Sequence, residues 1–285
     1  MRSNSRQAFA LGCAATVTGL ASPAFAQRAP DRSAQTILRD ARRAFRAEKK
    51  PSFVSYTLVR SEQRNGVPDF RNSYTERIWY RGADGSALMR RSDGRTAHGA
   101  LAYVRPRFNA PLDPGPPTAD IFEPAPPQPQ PGPSDTPPPV STELPAIGSI
   151  RVDVENEYVA TIAGETVTSI HLRLEPRRDP ERNRLRDVWV ERRDARVSRF
   201  RASDRLFYEG TDYVVPQVFD VTMGVLDGIS VVERIVVRSA GYDLFGGGSL
   251  TGEYRFERIV FPPQLPDWYF DPASYRTHAA DAPTS

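Results

Sequence analysis

The chain has 285 residues, 39% hydrophobic and 26% charged, with a mean hydropathy of -0.50, which excludes a multi-span membrane protein and leaves ample sequence for a core. The formal charge is +3, and Arg2 and Arg6 fall in a segment that reads as removable, so the remainder is close to neutral. A nucleic-acid partner is therefore not expected. The one cysteine, Cys13, lies in the same segment, which removes disulfides, thiolate catalysis and cysteine-held zinc from the mature chain together.

Residues 8–20 are mostly apolar and small, and Ala24-Phe25-Ala26 before Gln27 supplies an Ala-x-Ala cleavage site. This pattern predicts a signal peptide over 1–26, cleaved after Ala26, and a periplasmic location with secretion as the alternative. Elsewhere no stretch reaches the roughly 20 apolar residues of a membrane span.

From Ser33 to Lys49, the spacing of Ile37, Leu38, Ala41 and Phe45 predicts one amphipathic helix, which Pro51 ends. The period then switches to two. Strands are predicted over 52–60 and 71–80 with Asn65-Gly66 between them, then over 86–91 and 95–104 after turns at Gly82–Gly85 and Asp93-Gly94. Residues 105–139 hold 14 of the 27 prolines and can neither join a sheet nor make a helix. They read as a loop inserted over 105–147, with Ile121-Phe122 the only apolar pair able to anchor it. Strands resume at 149–154, 158–163, 166–175, 185–191, 197–202, 205–209, 214–223, 230–238 and 250–261. Residues 262–270 offer one aromatic cluster, and 271–285 read as a flexible tail.

About a dozen strands and one clear helix predict an α+β, mostly β fold. The economical architecture is a single curved antiparallel sheet, an open β-barrel around one or a few helices, in which 27–104 and 148–270 belong to one domain. Two packed sheets with a peripheral helix are the alternative.

Catalytic motifs are missing. His98, His171 and His278 have no helper at motif spacing, and there is no His-Glu-x-x-His, Gly-x-Ser-x-Gly or phosphate loop. Asp187 and Glu191 share a face with Trp189, with Cα atoms roughly 13 Å apart by strand rise, long for a glycosidase pair. A solvated face on which acids pair with arginines explains them better. The basic run from Arg177 to Arg201 is interrupted by acids, so compensated strands are expected, with anionic headgroups or an acidic partner as the functional alternative.

The order of elements resembles the periplasmic lipoprotein-carrier family, the LolA-like and LolB-like proteins and related outer-membrane lipoprotein-sorting proteins. Three features carry the likeness: the export signal followed by one helix and a meander, Ile78-Trp79-Tyr80-Arg81 before a turn, and Leu185-Arg-Asp-Val-Trp189-Val190-Glu191 followed by Val197-Ser-Arg-Phe200. The resemblance implies an unclosed barrel whose concave face holds an apolar cavity for acyl chains. The proline-rich insert and the Arg193-Asp-Ala195 turn depart from the family pattern.

The resulting expectation is an exported, non-enzymatic protein without cofactor or metal that binds a lipid, acyl chain or lipoprotein. Its expected lining is Val54, Tyr56, Leu58, Ile78, Tyr80, Ile170, Leu172, Leu174, Trp189 and Phe200. Lipid or lipoprotein acyl chains are the expected partners, with an envelope protein and peripheral membrane contact as further candidates, and the chain is expected to be monomeric. An envelope interaction or sensory module of the same fold is the alternative, followed by a carbohydrate- or lipid-acting hydrolase.

Overall fold

Helix α1 (Ala34–Ala47) begins where the Ser33 hydroxyl accepts the Thr36 amide, and it ends as Glu48 turns extended ahead of Pro51. The computed structural model describes residues 32–100, 116–118, 121–122, 157–180, 183–207, 214–240 and 247–278. The expected signal peptide, the strand expected at 149–154 and most of the proline-rich insert lie outside them.

Among the described residues twelve strands follow the helix: β1 (Phe53–Arg64), β2 (Val67–Pro68), β3 (Tyr74–Arg81), β4 (Ser86–Arg91), β5 (Thr96–Ala100), β6 (Tyr158–Glu165), β7 (Ser169–Pro176), β8 (Leu185–Glu191), β9 (Val197–Phe207), β10 (Val214–Leu226), β11 (Ile229–Ala240) and β12 (Ser249–Val260). They form one antiparallel sheet in the order β5-β4-β3-β1-β12-β11-β10-β9-β8-β7-β6, with β2 beside β1. The terminal strands β5 and β6 are not paired with each other, so the sheet is open, and the alternative of two packed sheets is set aside.

Three local readings change. Asn65 and Gly66, both at positive φ as a tight hairpin turn requires, join β1 to the two-residue β2, and β3 begins only after residues 69–73. Strand β9 is continuous where two strands were expected, because its ladder to β10 runs on through Ser203 and Asp204: backbone pairing does not need apolar side chains. The expected flexible tail starts too early. Asp271 caps α2 (Pro272–Thr277) by accepting the Ala273 and Ser274 amides, with Pro272 in the first turn.

Alternation assigns the faces. The inner face buries Val54, Tyr56, Leu58, Ile78, Ala87, Leu172, Leu174, Val188, Val190 and Phe200 in one cluster with Ile37, Leu38, Ala41 and Phe45 of α1. A second cluster lies on the outer face of β3 and β4, where Leu265, Tyr275 and the half-buried Trp268, Tyr269 and Phe270 cover Trp79 and Leu88.

Candidate ligand-binding interior

Helix α1 is fastened near both ends, and between them it buries Ile37, Leu38, Ala41 and Phe45. At its start the Gln35 amide takes the place of a neighbouring strand on the edge of β6: its Nε2 donates to the Tyr158 carbonyl and its Oε1 accepts the Ala160 N–H, both at 3.2 Å. Just past its end the Glu48 carboxylate accepts the Ser230 N–H at 2.8 Å and the Ser230 hydroxyl at 2.6 Å. Gln35 and Glu48 are about 20 Å apart along a helix, and β6 to β11 is roughly 24 Å across a sheet. The helix therefore spans the inner face from β6 to β11.

The residues expected to line a cavity fall into three groups. Val54, Tyr56, Leu58, Ile78, Leu172, Leu174 and Phe200 are buried in the inner cluster, and Tyr80 and Ile170 pack against it half-buried. Trp189 must be corrected, because it stands on the opposite face. Its neighbours Val188 and Val190 enter the inner cluster, so strand alternation sends the indole outward.

On that outer face Trp189 stacks on His171, with centroids 4.2 Å apart and planes 4° from parallel, and the Arg199 guanidinium lies 4.6 Å from its ring centre. His171 Nε2 is 2.8 Å from Asp187, and Asp187 also faces Arg201 at 3.5 Å. The hydrogen bond from Arg199 holds the Asp220 carboxyl below its ordinary range, against the opposing effect of burial. Arg178 with Glu157 and Arg192 with Glu165 continue the pairing along the arginine-rich stretch. Asp187, one of the two acids weighed for hydrolysis, is thus a partner in this network.

One end of the inner face is polar. Residues 60 and 62 alternate onto the same side as Leu58, and both are buried: Arg60 Nη2 donates to Glu62 Oε2 at 2.6 Å. The other Glu62 oxygen accepts from Arg64 at 3.1 Å and from Asn72 at 3.3 Å. Tyr74 and Tyr254 sit opposite Arg60 on β3 and β12, their ring centres 5.3 and 5.6 Å from its guanidinium. Burial works against the Arg60 charge, but Tyr254, Tyr74 and Glu62 outweigh it and raise the pKa. Nothing in the hydrophobic pattern of β1 signals this change of character at residue 60, since the alternation simply continues with charged residues.

The inner face also takes in part of the insert. Phe122 is buried in the main cluster, its ring edge-on to Phe45 at 5.7 Å, and Ile121 packs beside it. The Pro117 carbonyl accepts the Val232 N–H at 2.8 Å. This anchor sits where the sheet comes apart. Strands β11 and β12 pair from Arg234 opposite Arg255 towards Ala240 but not across 229–233. Each is bulged near the point of separation, β11 at Glu233 against β10 and β12 around Arg258 against β1, where Arg258 has positive φ.

The comparisons with known proteins are remote. No family model and no curated protein matches. Among solved structures, a DUF1329 family protein from Desulfovibrio piger is similar over 85% of this chain and 98% of its own, with 12% identity and a TM-score of 0.37. A domain described as an outer membrane lipoprotein-sorting protein from Vibrio parahaemolyticus is similar over 84% and 96%, with 10% identity and a TM-score of 0.39. The MucA/MucB complex of Pseudomonas aeruginosa is similar over 81% and 99%, with 15% identity and a TM-score of 0.22.

Proposed function

We propose that this is an exported, non-enzymatic envelope protein that holds a lipid, an acyl chain or the acyl group of a lipoprotein between α1 and the inner face of its sheet. One observation carries the reading: an apolar inner surface runs from β3 to β9 under a helix that is clasped to the sheet near its two ends, by Gln35 and Glu48. Burial of an acyl chain contributes about 0.8 kcal/mol per CH2 and needs no catalytic group. The lining on this reading is Val54, Tyr56, Leu58, Ile78, Tyr80, Ile170, Leu172, Leu174 and Phe200, with Trp189 left out because of its face. Acyl chains are the ligand, an envelope protein is the partner that delivers or receives them, and the working species is a monomer in the periplasm.

The test is native mass spectrometry of the exported mature protein, followed by solvent extraction. A stoichiometric acyl species released by solvent is the expected result. A clean apo mass, with no uptake of added lipid or lipopeptide, would overturn the reading. A second reading, an envelope interaction module of the same fold, is favoured by the close packing of the interior, where Val54, Tyr56 and Leu172 are all 0% exposed. Crosslinking to a protein partner by an apo form with a filled interior is the outcome it predicts.

A further inference from the structure

The close packing and the binding role are compatible if part of the packing is removable. Among the described residues of the insert, Phe122 is the one ring buried in the main cluster. It sits against Phe45 in the last turn of α1, beside the place where β11 and β12 part.

The hydrogen bonds around that gap show how it is closed. Strands β10 and β11 are joined by a two-residue turn, Asp227-Gly228, with Leu226 opposite Ile229 and Gly224 opposite Val231. In such a hairpin the bonded pairs are 226 with 229 and 224 with 231, so the N–H groups of Ser230 and Val232 point away from β10, towards β12. Strand β12 has already diverged and does not take them. Glu48 accepts the first and the Pro117 carbonyl accepts the second. Among the described residues, a helix-end carboxylate and one carbonyl thus stand in for the missing strand, and the Phe122 ring packs against the same end of the helix. Proline has no N–H to give back, so Pro117 can only accept. Its attachment to β11 is one-sided.

We propose that the gap between β11 and β12 is the entrance through which an unbranched acyl chain reaches the interior, and that Phe122 is a resident plug which the chain displaces. The inference rests on the acyl-binding reading above. An acyl chain carries what the departing plug leaves behind: a methylene tail for the space against Phe45, and a head-group carbonyl or carboxylate oxygen for the Val232 N–H. Because the competent state is the one with Phe122 withdrawn, apparent affinity in the intact protein is reduced by the fraction of molecules that are open.

The experiment is a fluorescence titration of the mature protein and its Phe122→Ala variant with cis-parinaric acid, a linear polyene fatty acid. The expected result is that the variant binds about tenfold more tightly, the factor by which burial of one ring biases the plug towards closed. Equal or weaker binding by a variant that still melts cooperatively would overturn the entrance while leaving the acyl reading intact. Failure of both proteins to bind the probe would overturn the acyl reading and the entrance with it. If Phe122→Ala does not fold, the wild-type protein decides by the nuclear Overhauser contact between the Phe45 and Phe122 rings. Loss of that contact on adding the probe supports displacement, and its retention with probe bound refutes it.

Discussion

Two rows of cross-strand partners on the outer face of the sheet each have a tryptophan at the centre, and the protein treats them in opposite ways. In the first, Ser55, Trp79, Leu88 and His98 lie side by side on β1, β3, β4 and β5. In the second, His171, Trp189 and Arg199 lie side by side on β7, β8 and β9. The first row is covered by the C-terminal segment, with Tyr269 edge-on to Trp79 at 5.8 Å and Tyr275 edge-on to His98 at 4.9 Å. Among the described residues the second row has no such cover: Trp189 is half-buried by an imidazole on one side and a guanidinium on the other. An indole flanked by flat or charged neighbours can face water, because cation–π attraction and stacking replace burial. An indole beside leucine needs a lid of its own.

The largest test of this contrast is to remove the lid. A chain ending at Phe261 leaves Trp79 and Leu88 exposed and lacks Leu265 and Tyr275, and it is expected to lose about 4 kcal/mol in denaturant melts, net of the ordering it no longer requires. A loss under about 1 kcal/mol would mean that the segment is decoration. The matched pair comes next. Trp79→Ala should cost about 3 kcal/mol and Trp189→Ala about 1 kcal/mol, read from the same melts. Equal costs would erase the distinction between the rows.

A smaller effect concerns pH. Burial holds His98 below its ordinary pKa of 6.5, with Asp271 opposing. Its neutral form is favoured in the folded state, so its contribution to stability is complete above about pH 6.5 and declines as pH falls through the folded value. Stability of the wild type relative to His98→Gln should fall with acidification in that window, and a titration placing His98 at or above 6.5 would refute it. The smallest effect belongs to the exposed row. Arg199→Gln should change stability by a few tenths of a kcal/mol, because its pairing with Asp220 is half-exposed. Its clearer readout is the Asp220 titration, which should move up towards the ordinary carboxylate range.

Much of this fold is legible in the sequence, because period and punctuation are local. The stripe of Ile37, Leu38, Ala41 and Phe45, the strand at 185–191 and the Asp227-Gly228 turn can each be read within a dozen residues. Asp271-Pro272 carries the same kind of signal, an N-cap followed by a first-turn proline, and it marks α2. Alternation also places the inner residues, and parity with Val188 and Val190 sets Trp189 on the outer face despite its size. What alternation cannot convey is which partner lies across space. The Gln35 amide on the edge of β6, the Glu48 carboxylate on Ser230 and the Pro117 carbonyl on Val232 each join segments more than 100 residues apart. None leaves a periodic trace, and all three belong to the candidate site or its rim.

The strand order has one further consequence. Read across the sheet from its far edge, the strands run β6 through β12 in chain order and then β1, β3, β4 and β5. The domain is a plain meander that has been rotated in sequence: residues 101–157 connect its two outer edges, and β1 against β12 is the one neighbouring pair that brings the ends of the chain together. Nearly every other pairing is between consecutive hairpin partners, so the entropy of closing a long loop is concentrated in that single seam. A circular permutant cut within 101–157, with the segment after β12 joined by a short linker to the start of α1, would make the seam a local connection, and should fold faster than the natural order.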